Sequence, residues 1–357
     1  MKVLYDCQIF NSQKVGGISR YFAELATALP DDIDPHFAVW RSRSIYLEPL
    51  GIAAMPNVPF KRYILKAVNY ARSRRLLEWG DYDVFHPTYY NPYYIPLVKR
   101  PTVVTVHDMI HERFPGNFAP GDTTAEVKRQ TVEHADRIIA ISESTRRDIL
   151  DLYDIDPAKI SVVYHGRNIL SNADVEINGL PDHYILFVGG RPRYKNFERL
   201  VKAFAEVRRV HPEVKLICTG APLKKDEQEL ISAARLRPGD DVRHIFVSDA
   251  QLRRLYAGAL CFVFPSLYEG FGFPILEAFD AGCPAVLSDR SSLPEIGGDG
   301  ALYFDPEDIG DMRDRILECI DSQTLRDILI SRGHARADLF SWQRTAEQTA
   351  EIYRSLV

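Results

Sequence analysis

Short apolar runs alternate with amphipathic helical stretches along nearly the whole chain, and this alternation leaves few architectures open. Strand-like runs occupy residues 2–5, 36–40, 84–86, 102–106, 137–141 and 160–164. A second set occupies 184–188, 215–219, 244–247, 261–265, 284–287 and 301–304. Helical patterns lie between them, at 17–28, 123–135, 144–152, 196–210, 226–236 and 249–259. Nearly continuous apolar strands, each followed by a helix, predict parallel sheets covered on both faces.

The two sets are separated by GRNILSNADVEINGLP, residues 166–181, a polar stretch with two glycines and no clear period. It is the linker candidate. After it the chain restarts with YILFVGG, a strand ending in glycines. At roughly 150 residues per domain, 357 residues predict about two domains rather than one large sheet with a long loop. The expected units are 1–170 and 180–340, with a helix over 342–355 packing back on one of them.

Composition removes several classes. Hydrophobic residues make up 46%, too many for global disorder. Lys and Arg number 44 against 49 Asp and Glu, so overall charge argues against a nucleic-acid coat. The five cysteines are scattered without a C-x-x-C pair, which predicts reduced, buried thiols in a cytosolic protein. No secretory signal and no spanning segment is visible, so a cytoplasmic protein is expected.

Three segments could carry chemistry. Gly16 and Gly17 follow the first strand and open a helix, where backbone N–H groups can approach a phosphate. The dinucleotide fingerprint is absent, and a tight strand-to-helix turn explains the pair as well. The loop Gly189–Gly190–Arg191–Pro192–Arg193–Tyr194–Lys195–Asn196 puts cations at the carboxyl end of a parallel strand, where open α/β sheets bind ligands. Arg191 can fork onto a diphosphate and Lys195 can add a point charge, although most such loops are merely solvated. The third segment is PSLYEGFGFPILEAFDAGCPAVLSD. Glu269 lies in a Gly-rich loop after a strand, and Glu277 lies in the first turns of the next helix. Two carboxylates there suit vicinal diols, and the backbone of Gly270, Phe271, Gly272 and Phe273 suits phosphate oxygens. Taken alone, the pair reads sooner as a solvated loop acid and a helix-dipole acid than as a ligand site.

The spacing P-S-x-Y-E-G-F-G-F-P-x-L-E-A resembles glycosyltransferase family 4, nucleotide-sugar enzymes of GT-B fold. GGISRY, TVHD, ADRIIAISESTRRDI, GGRPRYKN and SSLPEIGGDGALYFDP agree in order, so the resemblance covers almost the whole chain. It implies two Rossmann-like doubly wound domains facing a central cleft, acceptor-side first and donor-side second. It implies that Arg191 and Lys195 hold the donor diphosphate, that Glu269 binds donor-sugar hydroxyls and that Glu277 binds the ribose diol. Gly16, Gly17, Gly190 and the 270–273 backbone would meet the diphosphate and sugar. Val247 would meet the base, and His107 would face the donor sugar and acceptor. Many members place an Arg directly before the Lys; here that position is Tyr194, and Arg191 is expected to supply the missing guanidinium.

The family is retaining and needs neither a cofactor nor a catalytic metal; the nucleotide-sugar is a substrate. Asp32-Ile33-Asp34, Asp81-Tyr82-Asp83 and Asp154-Ile155-Asp156 sit in turn-like contexts and are expected to be structural, not metal-binding D-x-D motifs. The resemblance predicts transfer of a hexose, mannose from GDP-mannose, to a saccharide or lipid-linked saccharide in bacterial surface polysaccharide synthesis. The alternatives are a UDP- or other nucleotide-sugar, a nucleotide-sugar epimerase of similar fold, and a non-catalytic scaffold. Residues 61–75 interleave six cations with apolar and aromatic residues. They read as a solvated helix face or as a helix lying on anionic membrane.

Overall fold

The computed structural model describes every residue except 57–58 and 171–174. Residues 171–174 belong to the expected linker, which to that extent lies outside the described residues. The chain divides into two compact units, Met1–Gly166 with Ser341–Val357, and Arg167–Phe340.

In the first unit the strands are β1 (Lys2–Tyr5), β2 (Asp34–Phe37), β3 (Val84–His86), β4 (Val103–Val106), β5 (Arg137–Ala140) and β6 (Ile160–Val162). The order is β2-β1-β3 and β4-β5-β6, all parallel, with a bridge between Phe85 and Thr102 joining the halves. Helices α1 (Gln8–Ser12), α2 (Gly17–Ala28), α3 (Lys61–Trp79), α4 (Ile110–Arg113), α5 (Thr124–His134) and α6 (Glu143–Leu152) connect them.

In the second unit the strands are β7 (Tyr184–Phe187), β8 (Lys215–Cys218), β9 (Val242–His244), β10 (Cys261–Phe264), β11 (Ala285–Ser288) and β12 (Ala301–Phe304). The order is β12-β11-β10-β7-β8-β9, again fully parallel. Helices α7 (Phe197–Val210), α8 (Lys225–Ala233), α9 (Asp249–Gly258), α10 (Phe273–Asp280), α11 (Leu293–Gly297), α12 (Ile309–Asp321) and α13 (Gln323–Ala337) cover the sheet. β7, β10 and β11 are buried at every position, which is why their sequences are unbroken apolar runs. On α7, Phe197, Leu200, Val201, Phe204 and Val207 recur at helical spacing and are all buried. Each such side chain contributes about 1.5–3 kcal/mol on burial, far more than helix propensity supplies.

The last helix, α14 (Trp342–Arg354), belongs to the first unit and packs on α2. Thr345 Oγ1 donates to the Tyr164 carbonyl at 2.7 Å. A Cβ on Gly166 would stand 2.3 Å from the Trp342 backbone nitrogen, so only glycine admits this approach.

Two strands differ from expectation. The strand expected at 36–40 lies at Asp34–Phe37, and the one expected at 244–247 lies at Val242–His244. In the second case β9 is an edge strand paired only with β8; Ile245 still donates to the Cys218 carbonyl, and the chain then turns away with Phe246 86% exposed. All five cysteines are buried and free. No helix among the described residues is long and apolar enough to cross a membrane.

Candidate active site

In a doubly wound sheet the crevice opens where the strand order reverses, outside the carboxyl ends of the two central strands. In the second unit that point is the β7–β10 pair, since β8 and β9 continue to one side and β11 and β12 to the other. The loop after β7 carries Lys195 and the loop after β10 carries Glu269. Lys195 Nζ forms an ion pair with Glu269 Oε1, with side chains 19% and 11% exposed. The ammonium also lies 5.2 Å from the Phe264 ring centroid and 5.5 Å from that of Tyr194.

Both loops are held by bonds that sequence reasoning missed. Leu267 N–H donates to the Tyr194 carbonyl at 2.8 Å, tying one loop to the other. Asn196, at φ 57°, ends the Lys195 turn, and its Nδ2 donates to the Pro306 carbonyl at 2.7 Å. Glu269 N–H donates to Ser291 Oγ at 2.8 Å, and Ser292 Oγ donates to the carbonyls of Glu269 and Phe271 at 2.9 and 2.7 Å. The signal for these serines was present in SSLPEI, just after β11, the next strand in the sheet.

Arg191, expected to fork onto a diphosphate, has its guanidinium engaged within the protein and its side chain 2% exposed. Nε donates to Glu227 Oε1 at 2.8 Å and Nη2 to Oε2 at 3.2 Å. Nη1 donates to the Thr219 carbonyl at 3.1 Å, and Nη2 to the Ala221 and Pro222 carbonyls at 2.6 and 3.1 Å. A planar fork so satisfied braces the loops after β7 and β8 and does not offer itself to an anion. Gly190 lies exposed in the same loop, where a Cβ would meet only Pro192 Cδ at 3.7 Å.

Gly270, Phe271, Gly272 and Phe273 lead into α10. Gly272 is its N-cap at φ 116°, and a Cβ there would stand 3.0 Å from Ile275 Cδ1 and 3.3 Å from Leu293 Cδ2. Pro274 is the second helical residue, where its missing N–H is no loss. Glu277, one turn on, accepts from Tyr256 Oη at 3.3 Å. Burial and the Glu277 charge push the Tyr256 phenol well up, so it acts as a donor. Tyr256 sits on α9, which starts just after Val247, so Glu277 and the expected base loop belong to packed neighbours.

In the first unit, Gly16 is the N-cap of α2 and Gly17 its first residue. Gln13 Oε1 accepts from Ser19 N–H at 3.2 Å, folding over the helix N-terminus; a Cβ on Gly16 would lie 2.3 Å from that oxygen. Gln13 thus places an oxygen where the helix end attracts one. His107 follows β4 and is 8% exposed. Its N–H donates to Tyr90 Oη at 3.0 Å, its ring stacks on His165 at 5.9 Å, and Nε2 has no partner among the described residues. Burial, opposed by the Asp108 charge and helped by Lys128, holds its pKa down to about 4, so the ring is neutral. Beneath it runs a polar chain that the sequence did not announce. Tyr5 and Tyr353 hydroxyls lie 2.9 Å apart, Tyr353 Oη lies 2.6 Å from His86 Nδ1, and His86 Nε2 lies 2.9 Å from Thr105 Oγ1.

The three D-x-D sequences sit in structural contacts. Asp32 pairs with Arg354, Asp81 with Lys2, and Asp156 accepts from Ala158 N–H. Among the described residues no group of three or more His, Cys, Asp or Glu side chains is arranged to hold a metal ion.

Residues 172–336 match the family described as Glycosyl transferases group 1, and residues 15–169 match Glycosyltransferase Family 4. The O-antigen chain mannosyltransferase B of Escherichia coli is 30% identical over 302 residues, covering 79% of this chain and 76% of that one. The chain belongs to glycosyltransferase family 4. The transferase is also 26% identical to the O-antigen chain mannosyltransferase RfbU of Salmonella typhimurium, over 84% of this chain and 87% of that one. Its fold is that of Anabaena Alr3699/HepE, solved with UDP-glucose, at TM-score 0.77, 20% identity and full coverage of both chains. The transferase therefore has the GT-B fold of two Rossmann-like domains, and it is a hexosyltransferase similar to mannosyltransferases.

Proposed function

We propose that the enzyme is a retaining, metal-independent transferase that moves mannose from GDP-mannose to a saccharide or lipid-linked saccharide during bacterial surface polysaccharide synthesis. The carrying observation is the Lys195–Glu269 ion pair at the β7–β10 switch point. As the sugar–oxygen bond breaks, the departing diphosphate gains negative charge, and an ammonium already fixed there stabilises it without reorganisation. Glu269 is then released to accept hydrogen bonds from donor-sugar hydroxyls. Glu277 takes the ribose diol in place of Tyr256, the backbone near Val247 meets the base, and the N–H groups of 270–273 meet the diphosphate. Arg191 acts on the donor only through the loop that it and Glu227 brace. The unpartnered Nε2 of neutral His107 gives the first unit one hydrogen-bonding group for the transferred sugar or acceptor. The mannose assignment is supported by relatives named as O-antigen mannosyltransferases.

The exposed face of α3 supports a further contact with anionic membrane. Arg72, Arg74 and Arg75 are exposed there, as are Ile64 and Val68, with Phe60 and Trp79 exposed at the helix ends.

Thermal-shift titration with GDP, UDP, ADP and dTDP tests the base, followed by transfer from the matching mannose or glucose nucleotide in the presence of EDTA. Stabilisation by GDP and EDTA-resistant transfer from GDP-mannose are expected. Stabilisation by UDP alone would replace the donor, and product released as a new nucleotide-sugar would replace the transferase with an epimerase.

A further inference from the structure

The first unit has a reversal point of its own, between β1 and β3, with β2 on one side and β4 to β6 on the other. A cavity of about 620 Å³ opens there, walled by α1 and α5, by the loop after β3 and by the start of α3. Its chemistry differs from that of the donor site. Tyr63, Tyr70 and Tyr89 line it with aromatic side chains, Asn11 adds an amide, and Arg62 and Lys66 add cations; among the described residues no carboxylate lines it. The nearest acid, Asp6, is buried behind the wall and held by Thr88, Gln8 and Tyr93.

The start of α3 is costly unless something binds it. Arg62 and Lys66 are four apart on one face, and neither forms an ion pair among the described residues, so they repel. The first turn holds no acid, and the N-cap, Phe60, sits at φ 56° with no side-chain cap, so cations and the positive helix end face the same way. The helix start on the wall of this tyrosine-lined cavity is thus uncapped and carries cations without a paired acid among the described residues.

We propose that this cavity binds an anion-bearing saccharide, its ring against Tyr70 and Tyr89 and its anionic group between Arg62 and Lys66. The proposal rests on the transferase reading, as the class of acceptor the enzyme takes. The anion is either the phosphate that links a sugar to a lipid or the carboxylate of a uronic acid.

The test titrates the full chain calorimetrically with mannose 1-phosphate, glucuronate and uncharged mannose, with the donor site filled by the stabilising nucleoside diphosphate. A charged probe is expected to bind about tenfold more tightly than mannose, from two ion contacts at exposed cations. The Arg62→Glu/Lys66→Glu variant should lose that preference, and the milder Arg62→Gln/Lys66→Gln should reduce it, with nucleoside diphosphate binding unchanged in both. Preference for the phosphate assigns a phosphate-linked acceptor, and preference for glucuronate assigns an acidic sugar. Equal binding of all three probes, or a preference that survives charge reversal, overturns the proposal. If no nucleoside diphosphate binds, the donor reading fails instead, and the same titration without nucleotide still decides the cavity.

Discussion

Replacing Lys195 with Met keeps the length of the side chain and removes its charge, and the structure sets two separate costs. The first falls on the resting protein. Glu269 would remain as a carboxylate 11% exposed with its ion-pair partner gone. Removing one partner of a fully buried pair costs about 3–5 kcal/mol, and a charged hydrogen bond about 1.5–3 kcal/mol. With Lys195 itself 19% exposed, the lower range applies, about 2 kcal/mol. That corresponds to a Tm lower by about 4–8 °C for a unit of this size. The second cost falls on the transition state. A fixed donor facing developing charge is worth about 3–4 kcal/mol, a loss of roughly 10²–10³ in turnover. The two separate in a double-mutant cycle with Glu269→Gln. The double variant should recover most of the lost Tm, because no unpaired charge remains, while turnover stays low. The assay is release of nucleoside diphosphate during transfer, read beside thermal unfolding. A folded Lys195→Met protein turning over within about threefold of wild type would refute the reasoning.

Four further outcomes follow from named contacts. Gly272→Ala should destabilise by about 1–3 kcal/mol and weaken nucleotide binding, because φ 116° disfavours a side chain and Ile275 and Leu293 crowd the new methyl; unchanged Tm and affinity would remove the argument. Glu227→Gln should damage stability and donor binding as much as Arg191→Gln does, since both release the same brace; a silent Glu227→Gln beside a dead Arg191→Gln would restore Arg191 as a phosphate clamp. His86, His107 and His165 are held neutral by burial, His86 at about 3 and His107 at about 4 against an ordinary 6.5. The unfolded chain therefore takes up protons that the folded one refuses, and their stabilising effect, full above pH 6.5, is lost as pH falls toward 4. Unfolding at pH 5 should take up about two protons onto the His86 and His107 rings, about 1.4 kcal/mol per pH unit each, and His86→Gln should remove one; an unchanged uptake in that variant would contradict the assignment. Reversing Arg72, Arg74 and Arg75 to Glu should weaken sedimentation with anionic vesicles on the order of 100-fold at low salt, at about 1 kcal/mol per cation; unchanged sedimentation would leave α3 a solvated helix.

The architecture was legible because it follows from hydrophobicity and period. β7, β10 and β11 are buried on both faces, so their sequences could only be continuous apolar runs, and the helices between them show their buried stripe directly. Motif spacing named Lys195 and Glu269 separately, but nothing in the sequence says that residues 74 apart form an ion pair. That follows from strand order, which sets β7 beside β10 although β8 and β9 intervene in sequence. The partners of Arg191 were hidden for the same reason. Its type and place fit a phosphate clamp, and only the fold brings Glu227 and three carbonyls from the loop after β8 around it. A cation's role depends on what is left for it to bind, and a sequence does not show what has already been bound.

The same logic sets the two reversal points apart. At β7–β10 the lysine and the glutamate satisfy each other in the resting protein, so the site is preorganised and charge-balanced before any donor arrives. On the proposed function, a diphosphate entering there would exchange one ion pair for two sets of contacts, phosphate on the lysine and sugar hydroxyls on the glutamate. At β1–β3 Arg62 and Lys66 have no carboxylate on the cavity wall among the described residues, while the acid just after β1 is sealed among Thr88, Gln8 and Tyr93. A balanced site can accept a dianionic donor only by parting its own pair, which ties binding to the chemistry that follows. An unbalanced one, on the proposal above, would draw in an anion that fits between the tyrosines. On the two proposals made above, one doubly wound plan used twice gives one crevice for group transfer and one for capture, and the difference lies in which charges each reversal point leaves unmatched.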